Sequence, residues 1–269
     1  MTEDILSNNK FETLLVSKDQ KVLKIVLNRP KVANAMNTVM GRELRDLFLD
    51  INQKSAELRC IVLTGTGDRA FCSGADLKER YGMTEEQWMS QHEVFENAVL
   101  AIMDCPVPLI GAVNGAAFGG GMELVLACDF AWGSSRARFA LTETTLGIIP
   151  GLGSTQYLPR AVGTRRAKEI IFSGSTFTAE QAIAWGLLNQ VCSPGDLETQ
   201  VMGVAHQISD NAPIAIREAK QALNYALQSD LKDGYKFELE RYRNTVPTHD
   251  RLEGIAAFNE KRHAVFKGK

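Results

Sequence analysis

The sequence predicts an α/β fold whose last part is almost entirely helical. Two observations predict this fold class: short apolar, β-type runs alternate with helical stretches, and glycine- or proline-rich turns separate them. A third observation is that nearly every segment beyond Thr155 has helical periodicity. We therefore expect a core at residues 1–200 and a helical region at residues 201–269.

The elements of the core are predicted in chain order. Apolar runs at residues 11–16 and 21–27 flank a polar turn at 17–20 and predict an antiparallel hairpin. Residues 40–51 carry apolar side chains at i, i+4, i+7, i+8 and i+11, which is the spacing of one helical face. The following elements are strand 60–64, a glycine-rich loop 65–75, helix 84–103, strand 108–113, a glycine turn 115–121, a helix to residue 126, and strands 129–133 and 137–141.

Local signals mark several helix starts. Thr84 and Thr178 are each followed three residues later by glutamine, the pattern of a capping box. Pro213 occupies the first turn of another predicted helix, a position where its missing N–H is tolerated. Two more helices are predicted at residues 233–242 and 250–262.

Charge and cysteine usage exclude several classes of protein. The net charge of −2 argues against nucleic acid as the main partner, because phosphate binding normally requires a basic excess. The five cysteines are odd in number and form no C-x-x-C pair, so we expect reduced thiols and neither a disulfide framework nor a zinc site. Residues 1–4 lack the basic and apolar pattern of a signal peptide, so a cytoplasmic location is expected.

An uncharged stretch at residues 105–122 is not expected to span a membrane. It contains two prolines, Asn114 and five glycines, a density of helix breakers that an unsupported spanning helix would not tolerate. A buried strand, a turn and a helix start are expected there instead.

Several common catalytic patterns are absent from the sequence. There is no phosphate-binding P-loop and no G-x-S-x-G elbow, and residues 151–156 start like a dinucleotide fingerprint but lack its third glycine. The four histidines (His92, His206, His249 and His263) lie in polar, helix-like contexts and are expected on the surface. A histidine-based triad or metal site is therefore not predicted.

Residues 119–123, Gly-Gly-Gly-Met-Glu, follow a predicted strand and open a predicted helix. Glycine allows a ligand to approach the backbone, and the free N–H groups at a helix start favour an oxyanion. Glu123 lies in the first turn, beside that position. The alternative is a tight packing turn in which Glu123 only stabilises the helix dipole.

Glu143 is the second candidate, an acid in an otherwise uncharged stretch that lies 20 residues beyond Glu123. Two nearby carboxyl groups with separated pKa values are a common means of acid–base catalysis. Sequence spacing does not show that the two converge, and a buried structural role for Glu143 stays open.

Four segments resemble motifs of the enoyl-CoA hydratase/isomerase, or crotonase, family. They are N-R-P-K-V-A-N-A-M-N at 28–37, A-F-C-S-G-A-D-L-K-E at 70–79, A-V-N-G-A-A-F-G-G-G-M-E at 112–123 and E-T-T-L-G-I-I-P-G-L-G-S-T at 143–155. Two small departures occur, with Thr142 in place of a proline and Ser154 in place of a glycine. The resemblance implies a spiral of repeated β-β-α units whose C-terminal helices form a homotrimer or, by stacking of trimers, a homohexamer.

The resemblance also implies the roles of individual residues. The backbone N–H groups of Ala75 and Gly120 would form an oxyanion hole for the thioester oxygen. Glu123 would be the base that activates water, Glu143 the acid, and Gly151 would line the water position with its backbone. No metal and no cofactor is implied, since coenzyme A enters with the substrate.

Residues Ala75, Asp76, Leu77 and Lys78 would follow the coenzyme A arm of the substrate. Lys78 is a candidate phosphate contact, with an exposed loop lysine as the alternative.

The activity that the resemblance implies is hydration of a 2-enoyl-CoA, as in fatty-acid β-oxidation. Residues 74–80, 159–161 and 247–254 are similar to the methylglutaconyl-CoA hydratase branch, which acts in leucine degradation. Double-bond isomerisation and carnitinyl-CoA dehydration are alternatives. RNA binding, known in that branch through a lysine-rich helix, is disfavoured because acidic residues balance the basic ones over residues 38–54.

Overall fold

The structure is a computed structural model that describes residues 11–269, so the prediction about a signal peptide at residues 1–4 lies outside the described range. Within this range the strands are β1 (Leu14–Asp19), β2 (Val22–Leu27), β3 (Cys60–Gly65), β4 (Ala70–Cys72), β5 (Leu109–Val113), β6 (Ala116–Phe118), β7 (Phe130–Ser134), β8 (Arg138–Ala140), β9 (Phe177–Thr178) and β10 (Gln190–Cys192). The helices are α1 (Thr38–Lys54), α2 (Leu77–Arg80), α3 (Glu85–Met103), α4 (Gly120–Ala127), α5 (Ser154–Val162), α6 (Thr164–Ser173), α7 (Ala179–Ala184), α8 (Leu197–Ser209), α9 (Pro213–Ala226), α10 (Leu231–Thr245) and α11 (His249–Glu260). Short 3-10 helices occur at Pro30–Val32, Ser55–Glu57 and Glu143–Leu146.

The chain forms two sheets and adds strands to them alternately. The larger sheet has the order β1-β2-β3-β5-β7-β10, and the smaller has the order β4-β6-β8-β9. Strands β3, β5 and β7 are parallel neighbours in the larger sheet, and each is followed at once by β4, β6 or β8, which are parallel neighbours in the smaller one. Each turn of the chain therefore adds one strand to each sheet before helical segments return it. The predicted α/β spiral with a helical C-terminal part is confirmed.

The larger sheet is buried on both faces. Along β3, Ile61 and Leu63 belong to the main apolar core, whereas Cys60 and Val62 pack into a second cluster with side chains of α8. Successive side chains of a strand point to opposite faces, so a strand covered on both sides is apolar throughout. This explains the continuous apolar run that predicted the strand.

The predicted helices are confirmed, together with their caps. The side chain of Asn37 accepts a hydrogen bond from the Met40 N–H at 3.0 Å and starts α1, whose predicted apolar face is buried. Both capping boxes, at Thr84 and Thr178, are formed, and Pro213 stands at the start of α9.

The structure corrects the predicted strands in two respects. The hairpin turn lies at Gln20 and Lys21, because β1 continues through residues 17–19 of the expected turn, and Gln20 adopts a φ of 53°. Strands β4 and β6 lie inside segments predicted as glycine-rich loop and turn, and β9 and β10 interrupt the region predicted as helical. Each of these four strands has only two or three residues, which is too short for side-chain alternation to show in the sequence.

The stretch at residues 105–122 contributes β5, β6 and the start of α4, as expected. No helix in the described range is long and apolar enough to cross a membrane. All five cysteines are buried and free.

Candidate active site

The loop after β4 is held in place by residues 34–36. The buried Asn34 donates a side-chain hydrogen bond to the β4 backbone at 2.9 Å. The Met36 N–H donates to the Gly74 carbonyl at 2.8 Å, and the Asp76 N–H donates to the Met36 carbonyl at 2.8 Å. Arg29 adds an ion pair with Asp76 at 2.9 Å. The motif at residues 28–37 thus fixes the position of the backbone around residue 75.

Glycines allow this loop to approach the start of α4. Gly119 has a φ of 49°, and a Cβ there would lie 3.1 Å from Oε1 of Glu143. A Cβ on Gly121 would overlap the backbone carbonyl oxygen of Cys72. Larger residues at either position would push these segments apart.

Two unpaired backbone amides lie close together where these segments meet. Within residues 11–269, neither the Ala75 N–H nor the Gly120 N–H donates a hydrogen bond. The two groups are close, because a Cβ on Gly120 would lie 3.9 Å from the Ala75 nitrogen. Gly120 is the first residue of α4, where the helix dipole also favours negative charge. Such a pair of fixed donors can stabilise one oxyanion.

Glu123 lies one turn into α4 and is only 3% exposed. Its Oε1 accepts hydrogen bonds from the Leu152 N–H at 2.8 Å and the Ser154 N–H at 3.2 Å. Burial raises the pKa of Glu123 to about 7, although the Leu152 amide opposes the shift; the neighbouring Glu143 adds to it. The carboxyl group is therefore able to gain and lose a proton near neutral pH.

Glu143 begins the 3-10 helix Glu143–Leu146 and is 8% exposed. Its Oε2 is buried and has no hydrogen-bond partner in the described part of the chain. Burial also raises the pKa of this carboxyl group. Buried polar atoms are nearly always satisfied, so an unpaired oxygen next to a cavity indicates a position reserved for a ligand or water.

A single cavity of about 90 Å³ joins these groups. Its wall contains all five residues expected to be catalytic, which are Ala75, Gly120, Glu123, Glu143 and Gly151. The two carboxyl groups thus converge, a point that sequence spacing left open.

Only some of the residues expected along the coenzyme A arm line the cavity. Leu77 lines the cavity with Ala75 and Gly120. Asp76 lies outside it, where its carboxylate caps α2 and pairs with Arg29. Lys78 is exposed on α2, also outside the cavity wall.

His92 corrects the expectation that every histidine lies on the surface. Its side chain is 22% exposed and lines the cavity, where a Cβ on Gly151 would lie 2.6 Å from its Nε2. His92, Phe95, Val99 and Ile102 are spaced as one face of α3, and the last three are buried. That apolar spacing is the signal that could have placed His92 inside. Of the other histidines, His249 and His263 are exposed, and His206 is half-buried beside Asp19.

The glycine segment at 151–156 has a local role in place of phosphate binding. The amides of Leu152 and Ser154 are directed at Glu123. Within residues 11–269, no group of three or more His, Cys, Asp or Glu side chains is arranged to hold a metal ion.

The two-sheet spiral places this chain in the crotonase class of folds. The family model described as enoyl-CoA hydratase/isomerase matches residues 17–269. The chain belongs to the enoyl-CoA hydratase/isomerase family, and it is an enzyme of that family.

Named relatives agree with this placement. A short-chain-enoyl-CoA hydratase of Clostridium acetobutylicum is 35% identical over 94% of this chain and 97% of its own length. A crotonyl-CoA hydratase of Syntrophomonas wolfei is 34% identical over 96% of this chain and 99% of its own. The crystal structure of an enoyl-CoA hydratase from Bacillus anthracis superposes with a TM-score of 0.94 at 43% identity, covering 96% of this chain and all (100%) of that one.

Proposed function

We propose that the protein is an enoyl-CoA hydratase that adds water across the 2,3 double bond of a 2-enoyl-CoA thioester. The observation that carries the proposal is one cavity in which two buried carboxyl groups with raised pKa values lie beside two unpaired backbone amides. Family membership supplies the substrate class, an acyl-CoA thioester.

The proposed reaction uses each of these groups once. The N–H groups of Ala75 and Gly120 donate to the thioester oxygen and stabilise the charge that develops there. Glu123 takes a proton from water as the water oxygen bonds to C3 of the acyl group. Glu143 donates a proton to C2, which completes the addition. Glu123 then releases its proton to solvent and Glu143 takes one up, which restores the starting state of the pair.

The assignment of base and acid follows from the different hydrogen bonding of the two carboxyl groups. Two backbone amides donate to Glu123 and stabilise its ionised form, which a base requires. Oε2 of Glu143 has no donor directed at it among the described residues, so no hydrogen bond to that oxygen stabilises the ionised form. In this proposal the backbone at Gly151 lines the water position.

The direct test is hydration of crotonyl-CoA, followed as loss of the conjugated enoyl-thioester absorbance. Rapid loss with 3-hydroxybutyryl-CoA as the product supports the proposal. Conversion of 3-enoyl to 2-enoyl thioesters without hydration would instead establish an isomerase. Tight binding of coenzyme A thioesters without reaction on either substrate would contradict both.

Gly120→Pro tests the proposed oxyanion hole. Proline removes the N–H of residue 120 and is tolerated at the first position of a helix. We expect kcat/KM for crotonyl-CoA to fall by about 10²- to 10³-fold, the usual effect of losing one such donor. Gly120→Ala is the control, because it keeps the N–H and the single close contact of its Cβ, at 2.7 Å, is with the flexible end of Met36. Equal losses in the two variants would indicate a steric effect and contradict the role of the amide.

We also propose that residues 201–269 form a homotrimer interface, in a trimer or a hexamer of two trimers. The helices of this region expose large apolar side chains, among them Leu223, Leu231, Tyr242 and Phe258. Exposed apolar surface of this kind is typical of protein–protein contacts. Light scattering during size-exclusion chromatography would give the number of subunits, and a monomer would contradict the proposal.

The remaining partner proposals are that no cofactor is needed beyond coenzyme A and that RNA is not a ligand. Helix α1 neutralises its own charges, since Arg45 pairs with Asp46 and Lys54 with Asp50. A gel shift at low salt that shows binding would overturn the second proposal. Activity on straight-chain substrates would favour a role in β-oxidation, and activity on methylglutaconyl-CoA a role in leucine degradation.

A further inference from the structure

Arg80 is a buried cation in the wall of the cavity that holds the carboxyl pair. It ends α2 and is 8% exposed. Its guanidinium carbon lies 4.1 Å from the ring centre of Trp88 and 5.5 Å from that of Phe95. Its Nε donates a hydrogen bond to Oε1 of Gln91 at 2.8 Å. Stacking and a neutral amide therefore fix its orientation.

This cation has no carboxylate partner among residues 11–269. The nearest acidic side chain in the sequence, Glu79, accepts hydrogen bonds from the Thr38 N–H at 3.0 Å and from Nε2 of Gln91 at 2.8 Å. Gln91 thus bonds to both side chains and separates them, and no ion pair forms. Burial lowers the pKa of the Arg80 guanidinium, and the charge of Glu79 opposes this shift without a direct contact.

An unpaired buried cation requires an explanation, because buried charges are almost always paired. The planar guanidinium matches a carboxylate or phosphate through two parallel hydrogen bonds. An acyl-CoA substrate could supply an anion in two ways, through the phosphates of coenzyme A or through a carboxylate on the acyl group. Arg80 shares its cavity with Glu123 and Glu143, which are proposed to act on the acyl group. That position favours the acyl carboxylate.

We infer that Arg80 binds a carboxylate at the far end of the acyl group, so that the preferred substrates are 2-enoyl-CoA thioesters of dicarboxylic acids. The inference rests on the proposed hydratase function. It makes Arg80 a specificity-determining residue that acts on substrate choice and takes no part in proton transfer.

The test compares two substrates of the same shape. Glutaconyl-CoA carries a terminal carboxylate, and 5-methylhex-2-enoyl-CoA carries an isopropyl group in its place. We expect the wild-type kcat/KM to favour glutaconyl-CoA by about 100-fold, mainly through KM, because the neutral analogue leaves the buried cation unpaired. A wild-type preference for the neutral analogue, or equal use of the two, would overturn the inference even if no variant could be purified.

Arg80→Gln is expected to abolish the preference for glutaconyl-CoA. Its kcat/KM for 5-methylhex-2-enoyl-CoA measures any loss of activity that does not depend on the carboxylate. Arg166→Gln is the matched control, since Arg166 also stacks on a tryptophan, 4.2 Å above Trp185, but lies outside the cavity wall. It should leave the ratio unchanged. An equal loss on both substrates in Arg80→Gln would indicate a structural role or a contact with the coenzyme A phosphates, and would contradict the inference.

Binding measurements test the carboxylate site independently of the proposed hydration reaction. Glutaryl-CoA and 5-methylhexanoyl-CoA are saturated and do not react, so calorimetry with them reports only recognition. Tighter binding of glutaryl-CoA, lost in Arg80→Gln, supports the carboxylate site even if the protein hydrates neither enoyl substrate. Hydration of crotonyl-CoA without any preference for glutaryl-CoA supports the hydratase and refutes the carboxylate site.

Discussion

Replacement of Glu143 by glutamine is expected to lower kcat for crotonyl-CoA hydration by about 10³-fold, within the range that a general acid contributes. Glutamine has the same shape but no proton of suitable acidity to donate to C2. The substitution removes no hydrogen bond at Oε2, because that oxygen has no partner in the described part of the chain. The loss should therefore appear in kcat, while KM and the melting temperature change little.

The pH profile provides a second measurement on the same variant. In the proposed mechanism Glu143 is protonated while Glu123 is ionised, so loss of the Glu143 proton should inactivate the wild-type enzyme at high pH. In Glu143→Gln this alkaline limb of the residual kcat/KM profile should disappear, while the acidic limb, set mainly by burial of Glu123, should stay close to its wild-type position. Glu93→Gln, at an exposed position on α3, is the matched control and should behave as wild type. Activity of Glu143→Gln close to wild type, or an alkaline limb that persists in the variant, would refute the proposed role of Glu143 as the acid.

The residues of the candidate site could be named from the sequence because the family motifs contain positions whose backbone restricts residue type. Gly119 needs a positive φ and open space beside Glu143, and Gly121 must leave room for the Cys72 carbonyl. Such positions are visible in a single sequence as a glycine run followed by an acid. Asn34 is similar, since its side chain replaces a missing backbone partner for β4.

The short strands could not be predicted because their hydrogen bonds come from distant segments. Strand β10 joins the larger sheet by pairing Gln190 with Trp132, far away in the chain. Strand β4 pairs with β6 over two positions only, Ala70 with Ala116 and Cys72 with Ala117. Neither contact leaves a local pattern.

The location of Arg80 and His92 in the cavity wall was missed in the sequence analysis for a different reason. The capping box at Thr84 fixes where α3 begins but not which neighbours its faces contact. The placement of Arg80 and His92 in the cavity wall depends on how α2 and α3 pack around it. Asp76 was expected to contact the substrate because it lies within a family motif. In the structure its carboxylate instead caps α2 and pairs with Arg29.

Replacement of Glu123 by glutamine is expected to reduce activity and increase stability at the same time. The side-chain oxygen of glutamine can still accept the hydrogen bonds from Leu152 and Ser154, so the local fold is retained. A neutral amide cannot take a proton from water, and kcat/KM for crotonyl-CoA should fall by about 10²- to 10⁴-fold. The acidic limb of the pH profile near pH 7 should disappear with the carboxyl group.

The stability effect follows from the direction of the pKa shift. The folded protein binds the Glu123 proton more tightly than the unfolded chain does, because burial raises the pKa from 4.5 to about 7. Stabilisation by that proton is complete below pH 4.5 and is lost as the pH rises through 7. Above pH 7 the buried carboxylate therefore destabilises the wild-type protein by about 3 kcal/mol relative to a neutral side chain.

The difference in unfolding free energy between Glu123→Gln and wild type should accordingly depend on pH. We expect the variant to be more stable at pH 8 by an amount approaching about 3 kcal/mol, and the two proteins to be similar at pH 5. Urea unfolding at both pH values and at equal protein concentration measures this difference, with Glu93→Gln again as the control. A variant that is less stable at both pH values would mean that the bonds from Leu152 and Ser154 to the charged carboxylate outweigh its burial. A gain confined to high pH, together with the loss of activity, would show that the chain retains a destabilising carboxylate that the reaction requires.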